Sequence, residues 1–297
     1  VHDVLAGERV ERAGRLVGEE HPRPGHQPAS QRDPLSLASR QLGWETVEVA
    51  GEHEVRFEVL AAVGIAWPCS TGELLAILKE LRHRNSMDEG VVYLQITRGV
   101  AERDFAFPAE AAPGLVAFTT ARHVIDNPAA ASGLSIISVD DLRWRRRDIK
   151  SINLLAQCLA RQQAVSAGAD EAWMVQAGQV TEGSSSSAYI IKDGCVITRD
   201  LSEDILPGVR RRAIVELAAR HAIPVLERPF SIEEACQADE AFLSSAGTLV
   251  MPVISIDGHR IGSGAPGPLT RRLRQLYIEL LLAEVQANEG DKSAAKS

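Results

Sequence analysis

From about Ala61 onward, apolar and polar residues fall into recognisable periods, and ahead of that point they do not. Ser70-Thr71 precedes "GELLAILKELRHRN", a hydroxyl pair at the entry of an amphipathic pattern, which predicts an N-capped helix. "VVYLQITRG" (91–99) and "GLVAFTT" are rich in β-branched and apolar residues and predict strands. "HVIDNPAAASG" (123–133) is turn-rich between two periodic regions and predicts a linker. In "SINLLAQCLARQQAVSAGA" the residues Ile152, Leu154, Leu155, Cys158 and Leu159 sit at helical spacing. Short strands and turns follow in "EAWMVQAG", "SAYIIKDG" and "CVITRD". A helix is predicted over "LPGVRRRAIVELAARH", then "IPVLERPF", a helix over "IEEACQA", and the stretches "AFLSS" and "VMPVISIDG". A long amphipathic helix begins near Leu269, and residues 289–297 are expected to fray. Helices and strands mix without strict βαβ alternation, so the pattern predicts an α+β or mixed α/β fold.

The front of the chain behaves differently. Residues 19–33, "EEHPRPGHQPASQRD", hold no large aliphatic or aromatic side chain, and periodicity is poor up to about Phe57. Residues 1–60 therefore read as an atypical segment, disordered or out of frame with the patterned body of the chain.

Composition narrows the class of function. With 297 residues, 45% of them hydrophobic, the chain can build one large core or two modest ones. A net charge of −8 and only 4% aromatic residues argue against nucleic acid as a partner. No apolar run approaches the roughly 18 residues a membrane span needs. Four cysteines, Cys69, Cys158, Cys195 and Cys236, lack CxxC spacing and suit reduced thiols in a cytoplasmic protein better than a disulfide frame or a zinc site. A small-molecule enzyme is the expectation.

Four stretches could carry chemistry. The run "RWRRRDIKS" ends in Lys150, and a lysine whose charged form is disfavoured by burial or cationic neighbours becomes an available amine. Arg145, Arg146 and Arg147 could supply that bias. Glu182 stands between a short strand and a Gly-Ser turn whose backbone N–H groups suit anions. "ILPGVRRRAIVELA" enters a helix through Pro207-Gly208, which leaves N–H groups at its positive end. Ser244-Ser245-Ala246-Gly247 follows a strand with small residues that permit close backbone approach. Each stretch alone is equally compatible with a solvated face, a hairpin loop, a plain helix start or a plain turn.

Taken in order and spacing, these stretches resemble the fold-type IV pyridoxal-phosphate transaminases, most closely the D-amino acid aminotransferases. The blocks are "VVYLQITRGVAERDFAFP", "RRRDIKSINLLAQ", "VTEGSSSSAYIIKDG", "ILPGVRRRAI" and "AFLSSAGTLVMPVISIDG", and the resemblance runs from about Ala61 to about Glu284. It implies two domains with pyridoxal 5'-phosphate at their interface: the remainder of a small domain over 61–122, the linker 123–133, and a large cofactor domain over 134–288. It implies Lys150 as the lysine that binds the cofactor as a Schiff base and then shuttles the proton at the substrate Cα. Glu182 would pair with the ring nitrogen, and Leu206 would pack on the ring. Val209 and Arg210 would hold the phosphate at the helix entry, and Ser245 and Ala246 would form the second phosphate turn. Arg103 would take the substrate α-carboxylate. Arg56, three residues after His53 in "EHEVRFEVL", is the candidate for a further phosphate arginine. The reaction implied is transfer of an amino group from a D-amino acid such as D-alanine to a 2-oxo acid such as 2-oxoglutarate, in a homodimer.

Several positions depart from the family pattern. Arg210 stands where a threonine is usual, Ala246 and Gly247 replace hydroxyl residues, and Phe105 takes the place of a histidine that accompanies Arg103. The substrate-tyrosine stretch has no counterpart in residues 1–60. Two further readings therefore stay open: another fold-type IV activity (branched-chain aminotransferase or aminodeoxychorismate lyase-like), and a cofactor-binding protein without activity.

Overall fold

The structure is a computed structural model that describes residues 57–294, with side chains over 59–283. Arg56 and nearly all of the atypical segment 1–60 lie outside the described residues. A short helix, α1 (Phe57–Ala62), leads to α2 (Thr71–Arg84). The helix α2 starts where the hydroxyl pair predicts. Ser70 Oγ accepts from Glu73 N at 3.3 Å, and Glu73 Oε2 accepts from Ser70 N at 2.8 Å, a reciprocal capping box. Leu74, Leu78 and Leu81 recur every three or four residues and bury one face of α2 against Val92. Val92 belongs to β1 (Gly90–Thr97), which pairs antiparallel with β2 (Gly114–Ala121) to form a two-stranded sheet.

The stretch predicted as a linker contains one helical turn, α3 (Ala129–Ser132), and delivers the chain to β3 (Leu134–Asp140). Hydrophobic patterning does not mark β3, because only Ile136 of its seven residues is buried and no alternation sets it apart. Its strand character comes from parallel pairing on both sides, with β4 and β10. The remaining elements are α4 (Leu155–Ser166), β4 (Glu171–Gln176), β5 (Gln179–Gly183), β6 (Ser187–Lys192), β7 (Cys195–Thr198), α5 (Val209–Arg220), β8 (Val225–Glu227), α6 (Ile232–Cys236), β9 (Glu240–Ser245), β10 (Leu249–Ile256), β11 (His259–Arg260) and α7 (Pro268–Ala294). The helical backbone of α7 continues into the residues expected to fray.

Nine strands form one mixed sheet in the order β5-β4-β3-β10-β9-β6-β7-β8, with β11 paired to β10. Its two faces bury alternate residues of the same strands, as the twofold period of a strand requires. Ala188, Ile190, Ala241, Leu243, Met251 and Val253 face one cluster with Trp173 and Phe230. Tyr189, Ile191, Phe242 and Val250 face the other, under α5 and α7, with Ile214, Leu217, Leu273 and Tyr277. A sheet with helices over one face and a second apolar layer on the other is the mixed α+β architecture predicted. The N-terminus of α7 is held by Glu240, whose carboxylate accepts from Leu269 N at 2.9 Å and Thr270 N at 2.8 Å. No helix among the described residues is long and apolar enough to cross a membrane.

Candidate active site

The segment between β3 and α4 carries the basic run, and the fold sorts its arginines by direction. Arg143 and Arg147 turn inward, while Arg146 stays at the surface on Asp148 at 2.8 Å and Glu203 at 3.5 Å. Arg147 donates to Gln176 and lies 3.4 Å from Asp204. Arg143 is a site residue that no sequence motif marks. Its guanidinium donates to Asp141 through Nε at 2.9 Å and Nη2 at 2.7 Å, and through Nη1 to Glu182. The only advance signal is its place, two residues after an aspartate in the block that leads to Lys150.

Glu182 lies within β5 rather than in the loop after it, and it is buried. Two groups hold its carboxylate: the Arg143 guanidinium and the Leu206 N–H, at 3.2 and 3.3 Å to its two oxygens. Burial pushes the Glu182 carboxyl above the ordinary glutamate value, while Arg143 and the Leu206 N–H pull the other way. At Asp141 burial also pushes upward, but the bonds from Arg143 and Thr181 outweigh it and hold the group below the ordinary aspartate value. Arg143, with a carboxylate on each side, is held charged.

The turn after Glu182 is tight. A Cβ on Gly183 would fall 2.1 Å from Ser186 Oγ and 3.2 Å from Ser186 O, so a side chain there requires the serine hydroxyl to move. Ser186 Oγ is buried and has no hydrogen-bond partner among the described residues. Beyond Leu206 the chain enters α5 through Gly208, an N-cap without a side-chain hydrogen bond. A Cβ on Gly208 would meet Ser187 Oγ at 3.4 Å, and Ser187 is the β6 partner of Ser244 in β9. The helix entry at Val209 and Arg210 and the turn Ser244-Ser245-Ala246-Gly247 thus share one end of the sheet. Ser245 Oγ lies 2.8 Å from Thr248 Oγ1 across that turn. The Arg210 guanidinium is buried, lies 5.3 Å over the Tyr277 ring and donates to the Tyr277 hydroxyl.

Lys150 lines a cavity of about 430 Å³ together with Ser151 and Ile152. The opposite wall is β1 from Tyr93 to Thr97, with Leu60, Val63 and Trp67, and it is mostly apolar. Arg98 closes this wall, 3.7 Å over the Phe107 ring and donating to Val63 O and Gly64 O. Arg103 does not line the cavity, and it sits on an exposed loop beside Phe105, which is 100% exposed.

This set of groups fits the cofactor that the resemblance implies. A buried carboxylate braced by an arginine suits a protonated ring nitrogen. An uncapped helix entry beside a small-residue turn suits a phosphate. The partnerless Ser186 hydroxyl leaves a polar atom ready for a ligand.

Comparison with known proteins agrees with this geometry. The family model described as amino-transferase class IV matches residues 51–256. The D-alanine aminotransferase of Staphylococcus aureus (strain MSSA476) is 40% identical over 235 residues, 77% of this chain and 82% of that protein. Among solved structures, the branched-chain amino acid aminotransferase from Thermobaculum terrenum in its PLP-form superposes with a TM-score of 0.66 at 24% identity, covering 76% of this chain and 76% of that one. A putative 4-amino-4-deoxychorismate lyase from Legionella pneumophila superposes with a TM-score of 0.67 at 22% identity, covering 76% of this chain and 81% of that one. Sequence motifs, site geometry and these likenesses converge on one conclusion: the chain belongs to the class-IV aminotransferase family.

Proposed function

We propose that the protein is a pyridoxal-phosphate-dependent aminotransferase that moves an amino group from a D-amino acid such as D-alanine to a 2-oxo acid such as 2-oxoglutarate. The observation that carries the substrate assignment is the 40% identity to D-alanine aminotransferase over 235 residues. The braced Glu182 supports the chemistry.

Bound pyridoxal phosphate supplies a carbonyl that accepts the amine and a ring that takes up the electrons of the Cα–H bond. The work of the chain is to hold and to move protons. Lys150 provides the amine that anchors the cofactor and carries the proton to and from the substrate Cα. Glu182 would pair with the ring nitrogen as an anion, and Arg143 with the Leu206 N–H answers that charge in a buried setting. The N–H groups entering α5 at Val209 and Arg210, with Ser245 and Ala246, would hold the phosphate, and Leu206 would pack on the ring. Arg103 takes the substrate carboxylate. Its exposed loop, with Val100 98% and Phe105 100% exposed, is the part that we assign to contact with a second copy in a homodimer. The protein works in the cytoplasm.

A second reading is a branched-chain or lyase-type activity of the same fold, favoured by Phe105 and by the apolar wall opposite Lys150. To separate them, the full chain is incubated with pyridoxal phosphate, then with D-alanine and 2-oxoglutarate, and pyruvate is measured. Pyruvate formation that Lys150→Ala abolishes is expected. Amino transfer from L-leucine and not from D-alanine would move the assignment to the second reading. A chain that gains no visible absorbance from pyridoxal phosphate would overturn both.

A further inference from the structure

We propose that Arg122 is a phosphate-binding residue of this protein, supplying across Gly247 a charged donor in place of the hydroxyl that the altered turn lacks. The inference rests on the cofactor placement proposed above.

A pyridoxal-phosphate site must compensate a phosphate dianion, and N–H dipoles alone do so incompletely. In this chain two side chains of the cradle have changed their chemistry. Ala246 has no hydroxyl, and the guanidinium of Arg210 lies over Tyr277 and donates to it. Arg122 comes from outside the large sheet, one residue past β2, and reaches the same turn. A Cβ on residue 247 would lie 2.8 Å from Arg122 Nη1 and 4.0 Å from its Cζ. The glycine is therefore what allows the guanidinium to rest against the turn's backbone. Among the described residues, the Arg122 side chain makes no hydrogen bond or ion pair, and it is exposed. Its charge is held at a small-residue turn with no ion-pair partner among the described residues.

The approach is enforced by the surroundings. Arg274, buried in α7, donates to Thr248 O at 3.0 Å and Val250 O at 2.8 Å on one side. On the other it donates to Val124 O at 3.0 Å and Ile125 O at 2.7 Å. One guanidinium thus clamps the strand after the turn to the residues after Arg122. Glu89 Oε1 holds the same peptide from the opposite side, accepting from Val124 N at 2.7 Å and Ile125 N at 2.6 Å. The backbone at residues 124 and 125 is bonded on both edges, so the fold fixes the chain that carries Arg122 close to the turn at Gly247.

The test uses the full-length protein stripped of cofactor and titrated with pyridoxal phosphate, with pyridoxal, and with inorganic phosphate as competitor, read by visible absorbance and equilibrium dialysis. Arg122→Gln is expected to raise the Kd for pyridoxal phosphate about tenfold or more, the size of a lost charge-assisted bond. Its affinity for pyridoxal, which has no phosphate, should stay as in the wild type, and inorganic phosphate should compete less well. Arg122→Lys should recover part of the loss. Gly247→Ala, which pushes a methyl toward the guanidinium, should weaken pyridoxal phosphate in the same direction while the melting temperature is kept. Unchanged affinity for pyridoxal phosphate in Arg122→Gln, or an equal loss for pyridoxal, would overturn the inference and leave the proposed function standing. A wild-type protein that binds neither compound overturns both.

Discussion

Arg143 shows how much one side chain decides here. It lies between Asp141 and Glu182, with all three side chains less than 10% exposed. A buried carboxylate without a partner is costly, whereas a paired one is tolerated. Arg143→Met removes the cation that bridges both acids: Asp141 keeps Arg147 at 3.5 Å and the Thr181 hydroxyl, while Glu182 is left, among the described residues, with the Leu206 N–H. Urea unfolding should show a loss of about 3–5 kcal/mol, the cost of breaking a buried pair from one side. The same variant should lose visible absorbance with pyridoxal phosphate, because Glu182 then has reason to take a proton. Unchanged stability would show that Arg143 does not brace Glu182. Arg143 belongs to the part of the site that the sequence hides, since a charge run reads as solvated until the fold turns some members inward. Lys150, Glu182 and Leu206, the residues proposed for the site from the sequence, stand in long and specific block motifs.

Among the elements, the connection from β5 to β6, two strands that do not pair with each other, carries a sterically tight glycine. Gly183 ends β5 next to Glu182, and its backbone bonds Ser186 O through N at 2.7 Å. In Gly183→Ala the new methyl would fall on Ser186 Oγ, so the serine hydroxyl has to move. Overpacking of this kind costs about 1–3 kcal/mol, and it moves Glu182 as well. Thermal melting and cofactor titration together check this: both should fall, and a variant that melts earlier but binds pyridoxal phosphate normally would separate the turn from the site. The strand after this turn, β6, was legible because β-branched and apolar residues cluster in it, while Glu182 and Gly183 were read as lying past the end of a strand and instead complete β5. The strand β3 was not legible, because its order comes from neighbours on either side, which no local window contains.

Across the chain, a pair of apolar side chains stands on the outside of α4: Leu155 (71% exposed) and Leu159 (47%) lie one helical turn apart. Contiguous exposed apolar side chains of this kind fit burial against another copy. On the homodimer proposed above, the wild type is expected to sediment as a dimer and the Leu155→Glu, Leu159→Glu double variant as a monomer. Its fold should be kept, because neither side chain enters the core. A wild type that sediments as a monomer at micromolar concentration would overturn the homodimer.

Periodicity and motif order settled the class of fold and the family, and they put forward the residues whose neighbours in the chain mark them, Lys150 foremost. These are local properties: a 3.6 or 2.0 period, a cap, or a glycine turn acts over a few residues and is visible in any window that contains it. The bracing of Glu182 by Arg143, the turning of Arg210 onto Tyr277, and the clamp that lays Arg122 against Gly247 join residues 39, 67 and 125 positions apart. Such contacts depend on which strands pair and in what order, because burial, and with it the strength of every charge, is set when distant segments close on one another.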